Sequence, residues 1–590
     1  MGKFPQDRLG ILKAAFVAAL AISRVARCQQ PSPALIKADA AYRAGQSALS
    51  HRDLSAAQAD FEQVVRLAPQ AEQGHSALGA VLVSRGHMQE GIRELEKALA
   101  IKSTDSAAQL NLALAFEQTG SPEKALPLFS QLEAEARLQK RELPSNVLTA
   151  YAGALAQTDQ LGKAEIKMKA AIASDSQNAE LHDDLGSLYA QQKDWINAQQ
   201  QFAAAVRLNP DFAVAHLHLG LAMNAQRQGD GLTELATASQ LDPQNAMIAF
   251  ELGSALAASG HDEQAIPVFQ HVLELKPGFT AAAYQLALAL QRSNKVQESI
   301  LLFRKVVAAE PTNAEALTNL GMALSQAQLA KDAVPVLQRA IELDPGSVTA
   351  HQNLAAAYVQ LSQFADAVRE LRAALQLAPN LPQLHYNLGL ALKMQDDAAG
   401  AIPELETAER LNPSGPEAPY LLGILYMQTG RYADAAREMN TSLKLRPQNS
   451  DGWATLGSVY ENLNELPQAE SALREAIRQN PSQPDAYLTL ASVLVKQHRP
   501  DEAVIERKKA ADLMRAHMNL QRAEVATNAG NALLRSGDVA GSILQFQDAL
   551  SYDPDYADAH LGLANALELQ GKSAEAAAER QKAGAAGKQQ

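Results

Sequence analysis

The chain has 590 residues, 47% of them hydrophobic but only 5% aromatic, with one cysteine and 52 basic against 65 acidic residues, a formal net charge of −13. That balance argues against a nucleic-acid binder, whose phosphate-reading surface needs a clustered excess of Lys and Arg. One cysteine excludes an intramolecular disulfide, an iron–sulfur cluster and a cysteine-built zinc site.

The first element is a separate segment, residues 1–28. Lys3, Arg8 and Lys13 lead into the apolar run Ala14 to Ile22, about half the length a membrane-spanning helix needs. A charged start, a short apolar stretch and the exit Ala26-Arg27-Cys28 describe a signal peptide, so the expectation is export to a periplasmic or extracellular, envelope-associated location. Cys28 leaves a second route open, retention or lipid attachment, in which this segment is the only membrane tether. Residues 29–37 read as a linker.

From residue 38 onward one pattern recurs. Pro243, Pro277, Pro311, Pro345, Pro379, Pro413, Pro447 and Pro481 are spaced by 34. Ten residues after each proline stands a small residue (Gly253, Ala287, Gly321, Ala355, Gly389, Gly423, Gly457, Ala491), and each is preceded by Leu. A proline lacks the N–H that continues a helix, so it closes one. Small residues let two helices approach to about 8–10 Å, and Thr119-Gly120, Ser259-Gly260 and Thr429-Gly430 mark breaks between paired helices. Each unit is therefore helix, turn, helix, closing turn.

Trp453, Leu456, Gly457, Tyr460, Ala469, Leu473, Ala476 and Pro481, with a second copy in Leu185, Gly186, Tyr189, Ala198, Phe202, Ala205 and Pro210, resemble the tetratricopeptide repeat, TPR. The resemblance implies an all-α fold, an α-solenoid wound as a right-handed superhelix of helix-turn-helix repeats. Its frame gives one continuous array of about sixteen units over residues 38–590. Units 106–144 and 484–522 are longer, with second helices expected to extend through Gln131 to Arg141 and Glu502 to Leu520. Unit 213–245 is short, with Gln228-Gly229-Asp230-Gly231 at its inner turn as the expected place for a change of curvature. Arg507 and Arg580 stand where a bulky apolar residue is usual, which for Arg580 suits a last helix facing water.

No glycine phosphate loop, HExxH, GxSxG or cysteine pair is present, so the reading is of a non-enzyme with no catalytic residues, no cofactor and no metal. His75, His182, His216, His351, His385 and His560 share one place in their units, three residues before a Leu. They read as helix-packing residues, on the ground that no acidic or cysteine partner recurs beside them.

The resemblance further implies that first helices line a concave groove with their second, fifth, ninth, twelfth and thirteenth residues. Fifth positions are Phe250, Tyr284, Thr318, Gln352, Tyr386 and Tyr420, and ninth positions include Leu288, Met322, Leu390 and Ile424. They would form a partly apolar trough for an extended segment or a helix. The open alternative is that they cover neighbouring helices. Glu417, Asp451, Asp485, Glu524 and Asp558 at second positions would make an acidic rim. The expected partners are other proteins, through neutral, apolar or basic segments, and not nucleic acid. Asn111, Asn319, Asn353, Asn387 and Asn528 match the place of a carboxylate clamp, but no fifth position holds Lys, so clamp binding is not expected. The leading functional expectation is a non-enzymatic protein–protein interaction scaffold. Its alternatives are a structural adaptor of a cell-envelope assembly or polymer-export machine and, disfavoured for want of a catalytic domain, a TPR-associated glycosyltransferase.

Overall fold

The computed structural model describes residues 32–226 and 231–586. The expected signal peptide, Cys28 and most of the short unit's inner turn therefore lie outside the described residues. Among the described residues there are thirty-one helices, from α1 (Pro33–Ser50) to α31 (Ser573–Ala586), and no strand. None of these helices is long and apolar enough to cross a membrane. The chain forms an all-α solenoid of helix pairs, and its contacts divide it into two compact units, residues 1–302 and 303–590.

The helices begin and end where the chemistry of the repeat dictates. In the first unit α14 (Asp262–Leu275) stops two residues before Pro277, and in the second α18 (Ala330–Leu343), α20 (Phe364–Leu377) and α22 (Ala398–Leu411) stop two before Pro345, Pro379 and Pro413. Asn178, Asn245, Asn313 and Ser347 then cap the following helices, each accepting from a backbone N–H of the first turn. The inner turns need one residue in the left-handed region. Gly120, Gly260 and Gly430 supply it as expected, whereas Asp159, Asn294, Gln328, Ser362 and Asn464 adopt the same geometry despite a Cβ.

Packing follows the frame. The small residue at the eighth position receives the large residue sixteen further on: a Cβ added to Gly186 would meet the Phe202 ring at 2.6 Å, and one on Gly457 would meet Leu473 at 2.5 Å. Phe61, Phe129, Phe202, Phe269, Phe303 and Phe546 are all fully buried at this place. Each contributes roughly 2–3 kcal/mol by area removed from water.

Polar tethers run alongside the apolar ones. The fourth residue of a first helix donates to the carbonyl of the closing residue six positions earlier. His216, His385 and His560 do so to Pro210, Pro379 and Pro554 at 2.9 Å each, Trp453 to Pro447 at 2.9 Å, and Tyr487 to Pro481 at 3.1 Å. The eleventh residue reaches back to the preceding second helix: Tyr358 to Gln338 at 3.0 Å, Tyr426 to Glu406 at 2.6 Å and Tyr460 to Asn440 at 2.8 Å.

Two expectations about element length change. The second helix of the unit at 106–144, α6 (Pro122–Leu138), ends at Leu138 rather than Arg141. The unit at 484–522 has no closing turn at all. Its second helix and the next first helix are one continuous 36-residue helix, α28 (Pro500–Arg535). Leu520 replaces the closing proline, and neither Pro nor Gly occurs from Asp501 to Ala529, so nothing removes an N–H or offers a left-handed turn.

Candidate functional site

The groove candidates fall in two sets, one in each compact unit. In the first, Phe250 on α13 (Ala246–Ala258) is half-buried, its ring 4.9 Å from Phe279 and 6.0 Å from Phe269. It is thus drawn into packing between its neighbours, the alternative left open by the sequence. Tyr284 and Leu288 on α15 (Thr280–Arg292) are half-buried.

In the second unit Thr318 on α17 (Ala314–Gln326) is 6% exposed and donates to its own helix at Ala314, 2.8 Å away, which removes it as a ligand contact. Met322, Gln352, Tyr386, Leu390, Tyr420 and Ile424 are half-buried on α17, α19 (Val348–Gln360), α21 (Pro382–Met394) and α23 (Glu417–Gln428). Burial raises the hydroxyl pKa of both Tyr386 and Tyr420, with the nearby carboxylates Glu417 and Asp451 adding to it. These rings therefore stay neutral and offer an apolar face with a donor at its edge.

The acidic rim is exposed, but it is not uniformly free charge. Glu417 pairs with Arg446 at 2.5 Å, and Asp451 accepts from Gln483 at 3.0 Å. Asp485, Glu524 and Asp558 are exposed on their helices.

The histidines are not packing residues alone, and the expected lack of acidic partners is corrected by the structure. A Glu stands nineteen residues on, on the partner second helix: His75 Nδ1 lies 2.6 Å from Glu94, His351 2.8 Å from Glu370, His385 2.6 Å from Glu404 and His560 2.5 Å from Glu579. The short unit pairs His216 with Glu234 at 2.6 Å, and His182 has Gln201 instead, at 2.9 Å. Burial pushes the Glu94 and Glu579 carboxyls up, but hydrogen bonds from Lys97 with His75, and from Lys582 with His560, outweigh it and hold both below the usual range. The dyads tie paired helices together. Among the described residues no three His, Cys, Asp or Glu side chains converge so as to hold a metal ion.

One charged cluster in the first unit was missed by sequence reasoning. On α9 (Ala179–Gln191) Asp183 meets His218 of α11 (Ala213–Gln226) at 2.9 Å. Beside it, burial, then repulsion from Asp183 and Glu180, pushes the Asp184 carboxyl up to about 7. The one available clue was a spacing of 35 between Asp183 and His218, one more than the repeat.

Family comparisons agree with this frame along the chain. Residues 383–590 match the cilia and flagella-associated protein 70 C-terminal domain, residues 256–386 the Psidin N-terminal TPR repeats region, and residues 42–107 a tetratricopeptide repeat family. No curated protein matches the chain. Among solved structures, YrrB, described as a TPR protein with an unusual peptide-binding site, is 24% identical over 31% of this chain and 95% of its own, with a TM-score of 0.29. The Cut9-Hcn1 structure of the APC/C is 15% identical over 90% and 96%, with a TM-score of 0.32, and yeast Tom70 is 18% identical over 66% and 96%, with a TM-score of 0.29. With the 34-residue frame, the closing prolines and the paired helices in place, the chain belongs to the tetratricopeptide-repeat family.

Proposed function

We propose that the protein is an exported, non-enzymatic interaction scaffold whose first-helix faces bind an extended or helical segment of another protein. The repeat fold itself supports a protein-binding role. The observation that carries the finer reading is the row Tyr386, Leu390, Tyr420 and Ile424: half-buried aromatic and aliphatic side chains at groove positions of two consecutive repeats in the second unit. Rigid amphipathic rings of this kind anchor interfaces at low entropic cost. The exposed carboxylates of Asp485, Glu524 and Asp558 favour neutral, apolar or basic partner segments.

The test is affinity capture from the native cell with the double variant Tyr386→Ala/Tyr420→Ala. Partner recovery is expected to fall at least tenfold while circular dichroism stays unchanged; undiminished recovery by a folded variant overturns the groove. N-terminal sequencing of the same material reports whether residues 1–28 are removed. The adaptor reading, acting through outer faces and ends, has one observation in its favour, the uncovered length of α28.

A further inference from the structure

We propose that α28 is a self-association element. Two copies of the chain pair their α28 helices antiparallel about a two-fold axis, each filling the junction that the unbroken helix leaves open in the other.

The chemistry of an ordinary junction sets the expectation. The third residue of a first helix packs on the preceding second helix, in the shared clusters Ala205 with Ala215, Val272 with Ala282, and Ala340 with Ala350. At this position Ala215, Ala282, Ala350, Leu384, Ala486 and Ala559 are at most 1% exposed. From the other side, Ile266 on a second helix joins Leu286 and Leu290 of the following first helix. Both surfaces exist on α28 and neither is covered. Val525, at the third position, is 69% exposed, and Ala529 is exposed where other units bury a Leu. Val504, in the place of Ile266, is 62% exposed. The same state is found in α1, whose Ala40 and Ala44 are exposed because no unit among the described residues precedes them. Arg507 likewise repeats the water-facing Arg580 of α31, exposed in both. Within one chain the two halves of this junction cannot meet, since 21 residues of straight helix hold Val504 and Val525 about 32 Å apart.

A second copy supplies what is missing. Val504, Ala511, Met518 and Val525 recur every seven residues, so they form one stripe along α28, and all four are exposed. The stripe maps onto itself when reversed: Val504 falls opposite Val525, and the small Ala511 opposite the large Met518. Isologous two-fold contact requires this self-complementarity. Charge agrees with it in part. The Val504 end carries Arg507 and Lys508, beside the exposed Asp501 and a Glu502 that is already paired with Arg499 at 2.6 Å. The Val525 end borders a shallow cleft of about 460 Å³ between α28 and α29 (Val539–Tyr552), where Asp548 stands beside Met518, Gln521 and Tyr552, and Glu524 lies one residue from Val525. Reversal also brings Asp512 opposite His517. It sets Arg507 over Arg522, a like charge that lies over the Tyr552 ring at 5.6 Å and shares the cleft with Asp548.

The experiment is sedimentation velocity on the full chain, with cysteine crosslinking in a Cys28→Ala background. The expected mass is that of two chains, falling to one in Met518→Glu and in Val525→Lys, both solvent-facing substitutions that leave helix content unchanged. The double variant Val504→Cys/Val525→Cys is expected to oxidise to a covalent dimer, and each single variant is not. A single-chain mass at every loading concentration, a dimer indifferent to Met518→Glu, or single cysteines that crosslink as well as the pair would each overturn the proposal. Retention of a different protein on this stripe by a monomeric chain would do so as well.

Discussion

A ring nitrogen that faces a carbonyl can only donate to it. In His385 and His560, Nε2 faces a proline carbonyl while Nδ1 faces a Glu, so one ring ties both a closing turn and the partner helix. Removing the ring strands a carbonyl and a largely buried Glu. His560→Ala is therefore expected to cost the last units about 2–3 kcal/mol, read as lost amide protection over residues 539–586. His560→Trp, the side chain that does this at residue 453, recovers part of it, and His560→Phe recovers none. Asp184 gives a pH dependence of opposite sign to the low-lying Glu carboxyls. Its folded pKa is raised from 3.8 to about 7, so the folded state holds the proton more tightly, and stability is lost as pH rises from about 4 through 7. Glu94 and Glu579 sit below their ordinary value, and what they contribute is lost as pH falls through the acid range. Asp184→Asn is expected to raise thermal stability at pH 8 by at most about 4 kcal/mol and to leave it unchanged near pH 4. A wild-type melting temperature around α9 that does not fall between pH 5 and 8 would contradict this. The histidine column was visible in the sequence, but its meaning was not. A Glu partner stands nineteen residues on from His75, His351, His385 and His560, a regularity seen only when first and second helices are placed in the same frame.

Helix ends and crossings were legible because single residues decide them: prolines at 34-residue spacing stop helices, and small residues mark where backbones approach. The inner turns were legible only where glycine stands. Gln328 and Ser362 take the left-handed geometry because the helices on either side dictate it, and their sequence gives no hint. Gln328→Gly is expected to stabilise the surrounding units by about 0.5–1 kcal/mol, relief of the Cβ penalty outweighing the added chain entropy. Gly430→Ala, at φ 76°, is expected to shift the denaturant midpoint in the opposite direction. The fusion in α28 was half legible. Absence of a breaker predicted a longer helix, but nothing local said that the next unit's first helix would continue the same axis.

At the scale of the whole molecule, each helix pair touches chiefly its neighbours, so stability within each compact unit should behave as a sum of local terms and junctions. Hydrogen exchange is expected to show protection highest in the middle of an array and fraying toward α1 and α31. Uniform all-or-none exchange across the chain would refute this. The overall architecture was readable because a repeat multiplies a weak pattern until chance cannot produce it. The groove was less so: the same positional rule selects Thr318, which is buried and bonded to its own helix, and Tyr386, which is half-exposed.

A chain of units that share one apolar pattern faces a hazard that unique sequences do not, since that pattern fits almost as well when one segment slips by a whole period. The alternating tethers act against such slippage. Gln201 facing His182 in one unit, and Trp453 or Tyr487 closing their own turns in others, differ from the histidine–glutamate units, so a slip that pairs unlike units leaves donors or carboxylates buried without partners. The greasy positions make the array fold, and these few polar ones number its pages.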